Sequence, residues 1–487
     1  MTPTLILSLI FGYLAVLVLI SYITSRKKVN SEAFFLASRK SPWYIVAFGM
    51  IGTSLSGVTF ISVPGLVRET SFSYLQLVLG YLLGYLVIAT VLMPLYYKLN
   101  LVSIYTYLEQ RFGYWSYKTG AFFFLLSRTI GAAFRLYLVA GVLQLAVFDS
   151  FGMPFWATVL LSILFIWVYT YRGGMKTIIW TDTFQTMAML LCVGISIWLI
   201  SDSLNMGFPD LVKTVAGHPY SDVFNWEFKD DKYFFKQFFS GAFIAIVMTG
   251  LDQDMMQKNL SCKNIGEAQK NMFWFSIILV GVNLLFLTLG VLLYHYADVM
   301  NIALPEKSDD VFPFLALNHF TLFAGVIFIL GIVAITYASA DSALTALTTS
   351  FCVDFLTISK YDEARQDKLR TVTHIGFSLL LAVVILLFSI INDQSVITAV
   401  FKVAGYTYGP LLGLYSFGLF TKMQLRDKWV PLVCVICPIL TYVINISADK
   451  FLYGYKFGFE LLMVNGLLTF IGLLIISRKK HQPAYAA

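Results

Sequence analysis

The chain has 487 residues, of which 58% are hydrophobic and only 13% are charged, and its mean hydropathy is +0.77. A soluble domain of this size could not bury so much apolar surface, so the composition predicts a polytopic helical membrane protein. The apolar runs are continuous, whereas the strands of a membrane barrel would alternate in short segments. The net charge of +7 does not indicate a nucleic-acid partner, because the basic residues lie in short loops between the apolar runs.

Apolar runs of bilayer length predict thirteen spans in a single transmembrane domain over residues 1–487. The first run has no basic residue before it and no small-residue cleavage site after it, so we expect a retained span rather than a signal peptide. The predicted spans cover residues 4–24, 43–63, 74–97, 117–147, 153–171, 177–201, 235–252, 272–297, 321–356, 371–391, 396–420, 429–446 and 457–477.

The distribution of Lys and Arg predicts the orientation of these spans. The first span ends in three basic residues at 26–28, which places that end in the cytoplasm and the N-terminus outside. The cytoplasmic segments then hold 23 of the 34 Lys and Arg residues and the outer segments hold 8, while Arg128, Arg135 and Lys402 lie within spans. We therefore expect a multi-pass protein of the plasma (inner) membrane with a cytoplasmic C-terminus.

The second span contains the segment GMIGTSLSGVTFISVPG, residues 49–65. Its glycines lower helix propensity and allow the backbone to leave helical geometry. A broken helix at membrane depth is tolerated where it lines a cavity, and its freed carbonyls can coordinate a cation while its freed amides can hold an anion. Close packing through small residues is the alternative interpretation. The eleventh span, with Gly and Pro in FKVAGYTYGPLLGLYSFGLF, is also predicted to be irregular.

The ninth span carries a stripe of hydroxyl residues, each three or four positions from the last, so that they share one helix face. Asp341 lies beside the stripe, and a carboxylate at membrane depth faces a polar interior or a water-filled path. Ser and Thr can also hold helices together, but the whole stripe with Asp341 favours the wall of an ion or substrate pathway. The stripe comprises Thr336, Ser339, Ser342, Thr345 and Thr349.

Two arginines, Arg128 and Arg135, are seven residues apart in the fourth span and so lie roughly on one helix face. Neither is near enough to the end of the span to reach water simply by snorkelling. They could pair with Asp182 at the start of the sixth span or with Asp341, or they could bind an anionic substrate.

Asp252 and Asp254 follow the seventh span in the segment LDQDMMQKNLSCKN. No histidine or third carboxylate is spaced to complete a metal site with them. We therefore expect a structural loop in which these carboxylates pair with Lys258 and Lys263.

Several blocks of the sequence resemble the sodium/solute symporter family, which includes sodium-coupled carriers of sugars, proline, iodide, pantothenate and sialic acid. The blocks are SIYTYLEQRFG, GGMKTIIWTDTFQ, DQDMMQKNL, the Ser/Thr-rich helix that ends at Asp354, and YGPLLGLYSFGLF. The resemblance implies an all-α, LeuT-like fold of two inverted five-helix units in which the first helix of each unit is broken. The units would cover about 43–201 and 235–420, with additional spans at about 4–24, 429–446 and 457–477.

The resemblance also implies a sodium site, with sodium as the coupling ion, no other metal and no cofactor. Backbone carbonyls of Gly52, Leu55 and Ile335 would bind the ion together with the side chains at positions 338 and 339. Ser339 fits this pattern, whereas Ala338 lacks the expected hydroxyl, so that water or Thr336 could replace it. Some members of the family bind a second cation, at positions that correspond here to Asp182, Asp341 and Ser342. Asp341 could bind a cation or a proton, or pair with Lys402 or an arginine.

The resemblance implies a symporter, not an enzyme, in which sodium drives the import of a small organic solute across the bilayer. We expect an anionic solute such as a sialic acid or another carboxylate, although the arginine of the sialic acid carriers aligns nearer Gly131 than either arginine here. A neutral sugar, or a transporter-like sensor, is the alternative. Protein partners are not predicted. The expected substrate-lining residues are Ser54, Ser56, Thr59, Gln76, Arg128 and Arg135.

Overall fold

A computed structural model of the protein describes residues 3–24, 37–170, 175–391, 395–451 and 455–478. The predicted basic cluster at 26–28, the glycines of the GGMK motif at 173 and 174, and the C-terminal residues 479–487 lie outside these ranges. Within the described ranges the chain is almost entirely helical, and the only strands are the short antiparallel pair β1 (Gln424–Leu425) and β2 (Ser477–Arg478).

Nineteen α-helices make up the described part of the chain, and we number them in chain order. They are α1 (Pro3–Thr24), α2 (Trp43–Thr70), α3 (Tyr74–Val87), α4 (Met93–Lys98), α5 (Thr106–Arg111), α6 (Tyr114–Ala146), α7 (Phe155–Thr170), α8 (Met175–Ser203), α9 (Phe208–Gly217), α10 (Phe234–Ala245), α11 (Gln253–Leu260), α12 (Ile265–Val299), α13 (Ser308–Asn318), α14 (Leu322–Ser350), α15 (Glu363–Ile391), α16 (Val396–Thr407), α17 (Gly409–Phe420), α18 (Val430–Phe451) and α19 (Leu461–Ile475).

Short helical turns of other types connect or extend several of these helices. Three π-helical turns continue α3, α10 and α14, and the remaining turns are 3-10 helices. The π turns are Ile88–Leu92, Ile246–Gly250 and Phe351–Phe355, and the 3-10 turns are Ala37–Arg39, Ser71–Ser73, Phe148–Phe151, Pro219–Ser221, Ile358–Lys360 and Asp427–Trp429.

Side-chain caps fix the beginnings of several helices. Asn264 accepts a hydrogen bond from the Glu267 amide at the start of α12, and Thr321 accepts one from the Ala324 amide at the start of α14. Asp252 accepts hydrogen bonds from the two amides of Asp254 and Met255 at the start of α11. Each cap satisfies amides that would otherwise have no partner in the first turn of the helix.

Each of the thirteen predicted spans coincides with one or more helices. By length and composition, eight helices in the described residues could each cross a membrane, or nine if the bent pair α10–α11 counts as one span. The second and third predicted spans form one run in that count, and α7, α16, α17 and α19 are apolar but shorter. The protein is therefore a multi-pass helical membrane protein, while thirteen remains a predicted number of spans.

The first helix of each predicted five-helix unit is broken. In α2 the backbone leaves helical geometry at Ser56, with φ 56° and ψ 171°. The corresponding helix of the second unit bends by 66° between Phe234–Gly250 and Gln253–Leu260. Both breaks agree with the LeuT-like architecture, and the first confirms the irregular helix that the glycine-rich second span predicts.

The centre of the bundle is α14. All residues from Gly331 to Ser350 are buried, including the whole hydroxyl stripe. This helix packs against α2, α6, α8 and α15. A helix that is buried all round yet carries five hydroxyls must place them against other polar groups or bound ions, because bilayer-depth hydroxyls have no bulk water to bond.

Candidate functional site

The break at Ser56 is the structural origin of the site. A helix leaves the last carbonyls before an interruption without their regular intrahelical partners. Here those carbonyls belong to the turn from Gly52 to Leu55, which contains both of the α2 positions predicted to bind sodium. Gly52, Leu55 and Ser56 are all buried, so the freed carbonyls face the interior of the bundle rather than lipid.

The broken helix α2 lies directly against α14 at this point. A Cβ on Gly52 would lie 3.3 Å from Ile335 Cδ1, and a Cβ on Gly57 would lie 2.2 Å from Thr336 Oγ1. Glycine at position 57 therefore allows the close approach to α14, whereas the tightest contact of a Cβ on Gly52 would be with Thr186 Oγ1 of α8, at 2.3 Å. The structure brings together the two segments that were predicted to share a sodium ion.

Several hydroxyls of the stripe are buried without a hydrogen-bond partner in the described part of the protein. These atoms are the Oγ of Ser339 and Ser342 and the Oγ1 of Thr336 and Thr349. Unpartnered buried hydroxyls are costly, and a hard cation such as sodium takes oxygen ligands. The residues present therefore fit a sodium ion between α2 and α14. Ala338 is buried at the expected place and its side chain offers no oxygen.

A central cavity of about 70 Å³ adjoins the break. Tyr74, Ile397 and Phe401 line both this cavity and a wide vestibule of about 1010 Å³ at one end of the bundle. Five of the six predicted substrate residues lie in the wall of the central cavity, namely Ser54, Ser56, Thr59, Arg128 and Arg135.

Gln76 does not line this cavity. Its Nε2 donates to the Lys232 carbonyl at 3.0 Å, and its Oε1 accepts from the Asn225 amide at 3.2 Å. The side chain is buried and ties α3 to the loop before α10. The prediction that Gln76 faces the substrate therefore does not agree with this structure, because its polar atoms are engaged elsewhere.

The two arginines of α6 have different environments. Arg128 forms an ion pair with Asp254, and its second terminal nitrogen lies 3.9 Å from Asp252 Oδ2. Arg135 is also buried, with 7% of its surface exposed, but it makes no ion pair or hydrogen bond among the described residues. Arg128 therefore pairs directly with a carboxylate of the protein, whereas Arg135 lines the cavity without a direct ion pair.

Lys258 on α11 connects this region to α8 and α2. Its Nζ lies 2.7 Å from Asp182 Oδ2 and donates to Thr53 Oγ1 at 2.5 Å, and it is 3.8 Å from Asp254 Oδ1. Thr53 in turn donates to Asp182 Oδ2 at 3.0 Å. Asp182, Asp254 and Lys258 are all almost fully buried.

Tyr408, at the junction of α16 and α17, completes the network by donating to Asp252 Oδ2 at 2.7 Å. We call Arg128, Lys258, Asp182, Asp252, Asp254, Thr53 and Tyr408 the buried ion network. Along α2 the residues after the break lead to the vestibule, whereas Thr53 precedes the break. The network therefore closes the cavity on the side opposite the vestibule.

The predicted pairing of Asp252 and Asp254 is only partly correct. Lys258 does approach Asp254, but Lys263 is exposed and makes no ion pair in the part of the chain that the structure describes. Asp254 instead forms an ion pair with Arg128, which is 126 residues away in the sequence. The segment forms a buried helix, α11, rather than the predicted structural loop.

Asp341 lies on a different side of α14 from Ser339, because two residues correspond to about 200° of helix rotation. It is fully buried, its Oδ1 accepts from the Ser342 amide at 2.5 Å, and it lies close enough to Tyr13 of α1 to interact electrostatically. Lys402 is exposed at the vestibule and makes no ion pair within the described ranges. The alternative in which Asp341 pairs with Lys402 is therefore not realised.

The sequence reading missed the roles of Thr53, Lys258 and Tyr408. The charges in the predicted spans could have indicated these roles. Arg128 and Asp182 both lie at membrane depth, where each requires a partner of opposite charge. The segment with Asp252, Asp254 and Lys258 supplies those partners. Also missed was Thr186, whose Oγ1 accepts from the Gly52 amide at 3.1 Å and fixes α2 against α8 just before the break.

Helices that are interrupted near mid-length around a polar cavity are how ion-coupled membrane transporters bind their solutes, and this is the class of protein that the fold and the site define. The profile of the sodium:solute symporter family matches residues 34–425. The chain belongs to this family of sodium-coupled transporters.

Similar proteins include several sodium-coupled transporters. The sodium/sialic acid symporter NanT of Aliivibrio fischeri is 25% identical over 484 residues, which cover 94% of this chain and 92% of the relative. The human sodium/iodide cotransporter is 26% identical over 80% of this chain and 61% of its own length. The human sodium-coupled monocarboxylate transporter 2 is 23% identical over 82% of this chain and 65% of its own length.

Two solved structures show the same fold. The substrate-bound, outward-open state of a Na⁺-coupled sialic acid symporter superposes with a TM-score of 0.81 at 19% identity, over 96% of this chain and 97% of that one. Mhp1, a nucleobase-cation-symport-1 family transporter, gives a TM-score of 0.55 at 13% identity over 91% and 94%. These similarities confirm the predicted LeuT-like architecture.

Proposed function

We propose that the protein is a sodium-coupled symporter that imports a small organic anion, such as a sialic acid or another carboxylate. The observation that carries this proposal is the contrast between Arg128 and Arg135. A buried guanidinium without a direct ion-pair partner is costly, and a carboxylate bound in the cavity would supply that partner to Arg135. Arginine also suits a carboxylate because its planar fork can donate two parallel hydrogen bonds.

The names of the relatives support an anionic solute, because sialic acid, iodide and monocarboxylates all carry negative charge. The neutral-sugar alternative would be favoured if both arginines were held in ion pairs, and only Arg128 is. No covalent chemistry forms part of the proposal, so the protein would not be an enzyme. Measurement of solute uptake separates a sensor without transport from a symporter.

The coupling ion would bind between α2 and α14. Its ligands would be the carbonyls of Gly52, Leu55 and Ile335 and the hydroxyl of Ser339, with Thr336 or water in place of the hydroxyl that Ala338 lacks. An ion shared by two helices favours the arrangement in which both are in contact. Such differential affinity for two conformations is what coupling requires.

A second cation would have to share Asp182 with Lys258. The ammonium holds Oδ2 of this carboxylate, while Oδ1 has no hydrogen-bond partner in the described part of the structure. Ser342, with its unpartnered hydroxyl, remains a candidate ligand, whereas Asp341 accepts a hydrogen bond from the Ser342 amide and interacts electrostatically with Tyr13. A sodium ion here would lie beside a fixed positive charge, so we assign the coupling sodium to the α2–α14 site.

The orientation follows the distribution of basic residues, with the N-terminus outside and the vestibule open to the exterior of the plasma (inner) membrane. Purified protein in liposomes tests the function directly. We expect uptake of a labelled carboxylic acid in sodium but not in choline buffer, and loss of uptake in Arg135→Gln but not in the exposed control Arg365→Gln. Equal uptake in both buffers, or uptake of a sugar that Arg135→Gln leaves unchanged, would contradict the proposal.

A further inference from the structure

The span that forms α16 and α17 is interrupted in its middle, and a helix from outside the two predicted five-helix units binds the interruption. Helix α16 ends at Thr407 and α17 begins at Gly409, with Pro410 in its first turn. Resting on the symporter function proposed above, we propose that Asn465 of α19 is a positioning residue for solute binding. Its amide holds the interruption and thereby fixes the wall that α16 presents to the solute.

The interruption leaves backbone carbonyls without their helical partners. In a continuous helix the Tyr406 carbonyl would accept a hydrogen bond from the amide of residue 410, but Pro410 has no N–H to donate. Asn465 supplies the missing donor, because its Nδ2 lies 2.8 Å from the Tyr406 carbonyl oxygen and 3.0 Å from that of Gly405. Asn465 is fully buried, and at such a place a carbonyl without a partner would be costly.

The packing around Asn465 fits its side chain to the interruption. A Cβ on Gly409 would lie 2.2 Å from Asn465 Cγ, so glycine at position 409 leaves room for the amide to reach the backbone. A second asparagine, Asn445 of α18, donates to the Tyr406 hydroxyl at 2.8 Å. The two additional helices α18 and α19 therefore hold the same turn of the interrupted span.

The direction in which α16 leaves this turn determines one wall of the central cavity. Ile397, Val400 and Phe401 line the cavity, and Ile397 and Phe401 also line the vestibule. Phe401 precedes Tyr408 by seven residues, which is about 10 Å along a helix. A change of direction at the interruption would therefore displace the wall, and with it the groups that contact the solute. Tyr408 itself donates to Asp252 of the buried ion network, so the same turn also reaches the closed side of the cavity.

Asn465→Leu tests the proposal, because leucine has a similar volume but no N–H to donate. Spin labels at two exposed outer positions, Lys402→Cys on α16 and Asp298→Cys at the end of α12, report the direction of α16, and the five native cysteines are buried. We expect the distance distribution between the labels to shift or broaden when Asn465→Leu is added.

Binding to the purified protein in sodium is the second readout, with N-acetylneuraminate, pyruvate and propionate as probes. The acid that binds the wild type most tightly should bind Asn465→Leu at least about fivefold more weakly, while sodium affinity without solute stays within about twofold. An unchanged label distance, or an unchanged solute affinity, would overturn the inference. Absence of sodium-dependent binding of all three acids to the wild type would instead contradict the proposed function, and the label distances alone would then decide whether Asn465 positions α16.

The matched control is Thr469→Val, about one turn further along α19. Thr469 is as completely buried as Asn465, but it packs against α17, where a Cβ on Gly413 would lie 2.5 Å from Thr469 Cβ. Thr469→Val should therefore leave both the label distance and the solute affinity at their wild-type values. An equal loss of solute affinity in Thr469→Val and Asn465→Leu would show that α19 only supports the fold.

Pro410→Ala provides a test by rescue, because alanine restores an N–H four residues after Tyr406. The double variant of Asn465→Leu with Pro410→Ala should bind the acid at least about twofold more tightly than Asn465→Leu alone. No recovery would mean that the effect of Asn465→Leu does not come from the missing donor, which would overturn the inference. If Asn465→Leu does not fold, Asn465→Ser, with a single donor on a shorter side chain, makes the same comparisons with smaller expected changes.

Discussion

Lys258 Nζ lies 2.7 Å from Asp182 Oδ2, and both side chains are almost completely buried. The pair joins α11, just after the bend of the second broken helix, to α8, which packs against the first broken helix α2. A charge pair at this depth is held by its partners rather than by water, so removal of one member leaves the other uncompensated. The pair therefore links the two interrupted helices on the side of the cavity away from the vestibule.

We expect Lys258→Met to destabilise the protein by about 3–5 kcal/mol, because the Asp182 carboxylate would lose its ammonium partner. Lys258→Arg should retain most of the stability, since it keeps the charge. The double variant Asp182→Asn with Lys258→Met should be more stable than Lys258→Met alone. Thermal or denaturant unfolding in detergent measures these differences.

Lys263→Met serves as the control for this prediction, because Lys263 is five residues away and exposed. It should leave the unfolding transition within the ordinary range of surface substitutions, about 0.5 kcal/mol. Equal stability of Lys258→Met and Lys263→Met would show that the Lys258–Asp182 pair contributes nothing to the fold.

The two arginines of α6 should respond to substitution in opposite ways. Arg128→Gln leaves Asp254 without its strongest partner and should cost about 3–5 kcal/mol of stability. Arg135→Gln removes a buried charge that has no direct ion pair and should leave stability unchanged or raise it, while binding of a carboxylate solute falls at least about tenfold. Unfolding curves and ligand titrations on the same preparations separate the two effects.

Arg135→Lys adds a test of geometry to this prediction. It keeps the positive charge but loses the fork that can hold both carboxylate oxygens. Solute affinity should therefore fall in Arg135→Lys, with the sodium affinity less affected. Wild-type solute affinity in Arg135→Gln would mean that the guanidinium does not touch the substrate.

Ser339 should determine the affinity for sodium. Its hydroxyl is buried without a partner in the described structure, next to a position where Ala338 has none to offer. We expect Ser339→Ala to raise the sodium concentration for half-maximal uptake by about tenfold, which corresponds to a loss of roughly 1.4 kcal/mol. Ala338→Ser should lower that concentration, because it adds an oxygen ligand. Sodium titrations of uptake measure both changes, and an unaltered sodium dependence in Ser339→Ala would place the ion elsewhere.

The sequence predicted the helical fold, the irregular helix α2 and the adjacency of Gly52 to Ile335, because these depend on local composition and on the family pattern. It did not assign partners within the buried ion network. The choice of Arg128 rather than Lys263 for Asp254 depends on how α6 crosses α11, which local patterns do not encode. The orientation of Asp341 could have been predicted from the sequence, because helix geometry alone places it on a different face of α14 from Ser339.

Gln76 illustrates a different limit. A polar residue near the start of a predicted span is a reasonable candidate for a substrate contact. The spacing of residues in the sequence does not show which groups form hydrogen bonds with its side chain. In the structure the amide is used by the backbone at Asn225 and Lys232, in a loop about 150 residues further along the chain. Long loops between spans can therefore form hydrogen bonds with polar residues that the sequence pattern places in the cavity.

Asp309 lies on α13, in the outer segment between the eighth and ninth predicted spans. Its Oδ2 accepts a hydrogen bond from the Val396 amide at 2.8 Å, at the beginning of α16. Burial raises the pKa of the Asp309 carboxyl above its usual range, and the nearby carboxylates of Asp310 and Glu69 act in the same direction, against hydrogen bonds from Ser62 and the Val396 amide. Because the folded protein favours the protonated form, the contribution of Asp309 to stability is fully present below the unfolded pKa of about 3.9. That contribution is lost as the pH rises through the folded pKa.

We therefore expect Asp309→Asn, which stays neutral and keeps an oxygen for the Val396 amide, to be more stable than the wild type at neutral pH. The difference should shrink towards zero as the pH falls to about 4, since the wild-type carboxyl is then protonated as well. Thermal unfolding of both proteins between about pH 4 and pH 8 measures this dependence. Asp298→Asn, at an exposed carboxylate in the same outer segment, is the control and should show no such trend. A stability difference that grows towards low pH would mean that the folded protein favours the charged form, so that the cap on α16 outweighs the cost of burial.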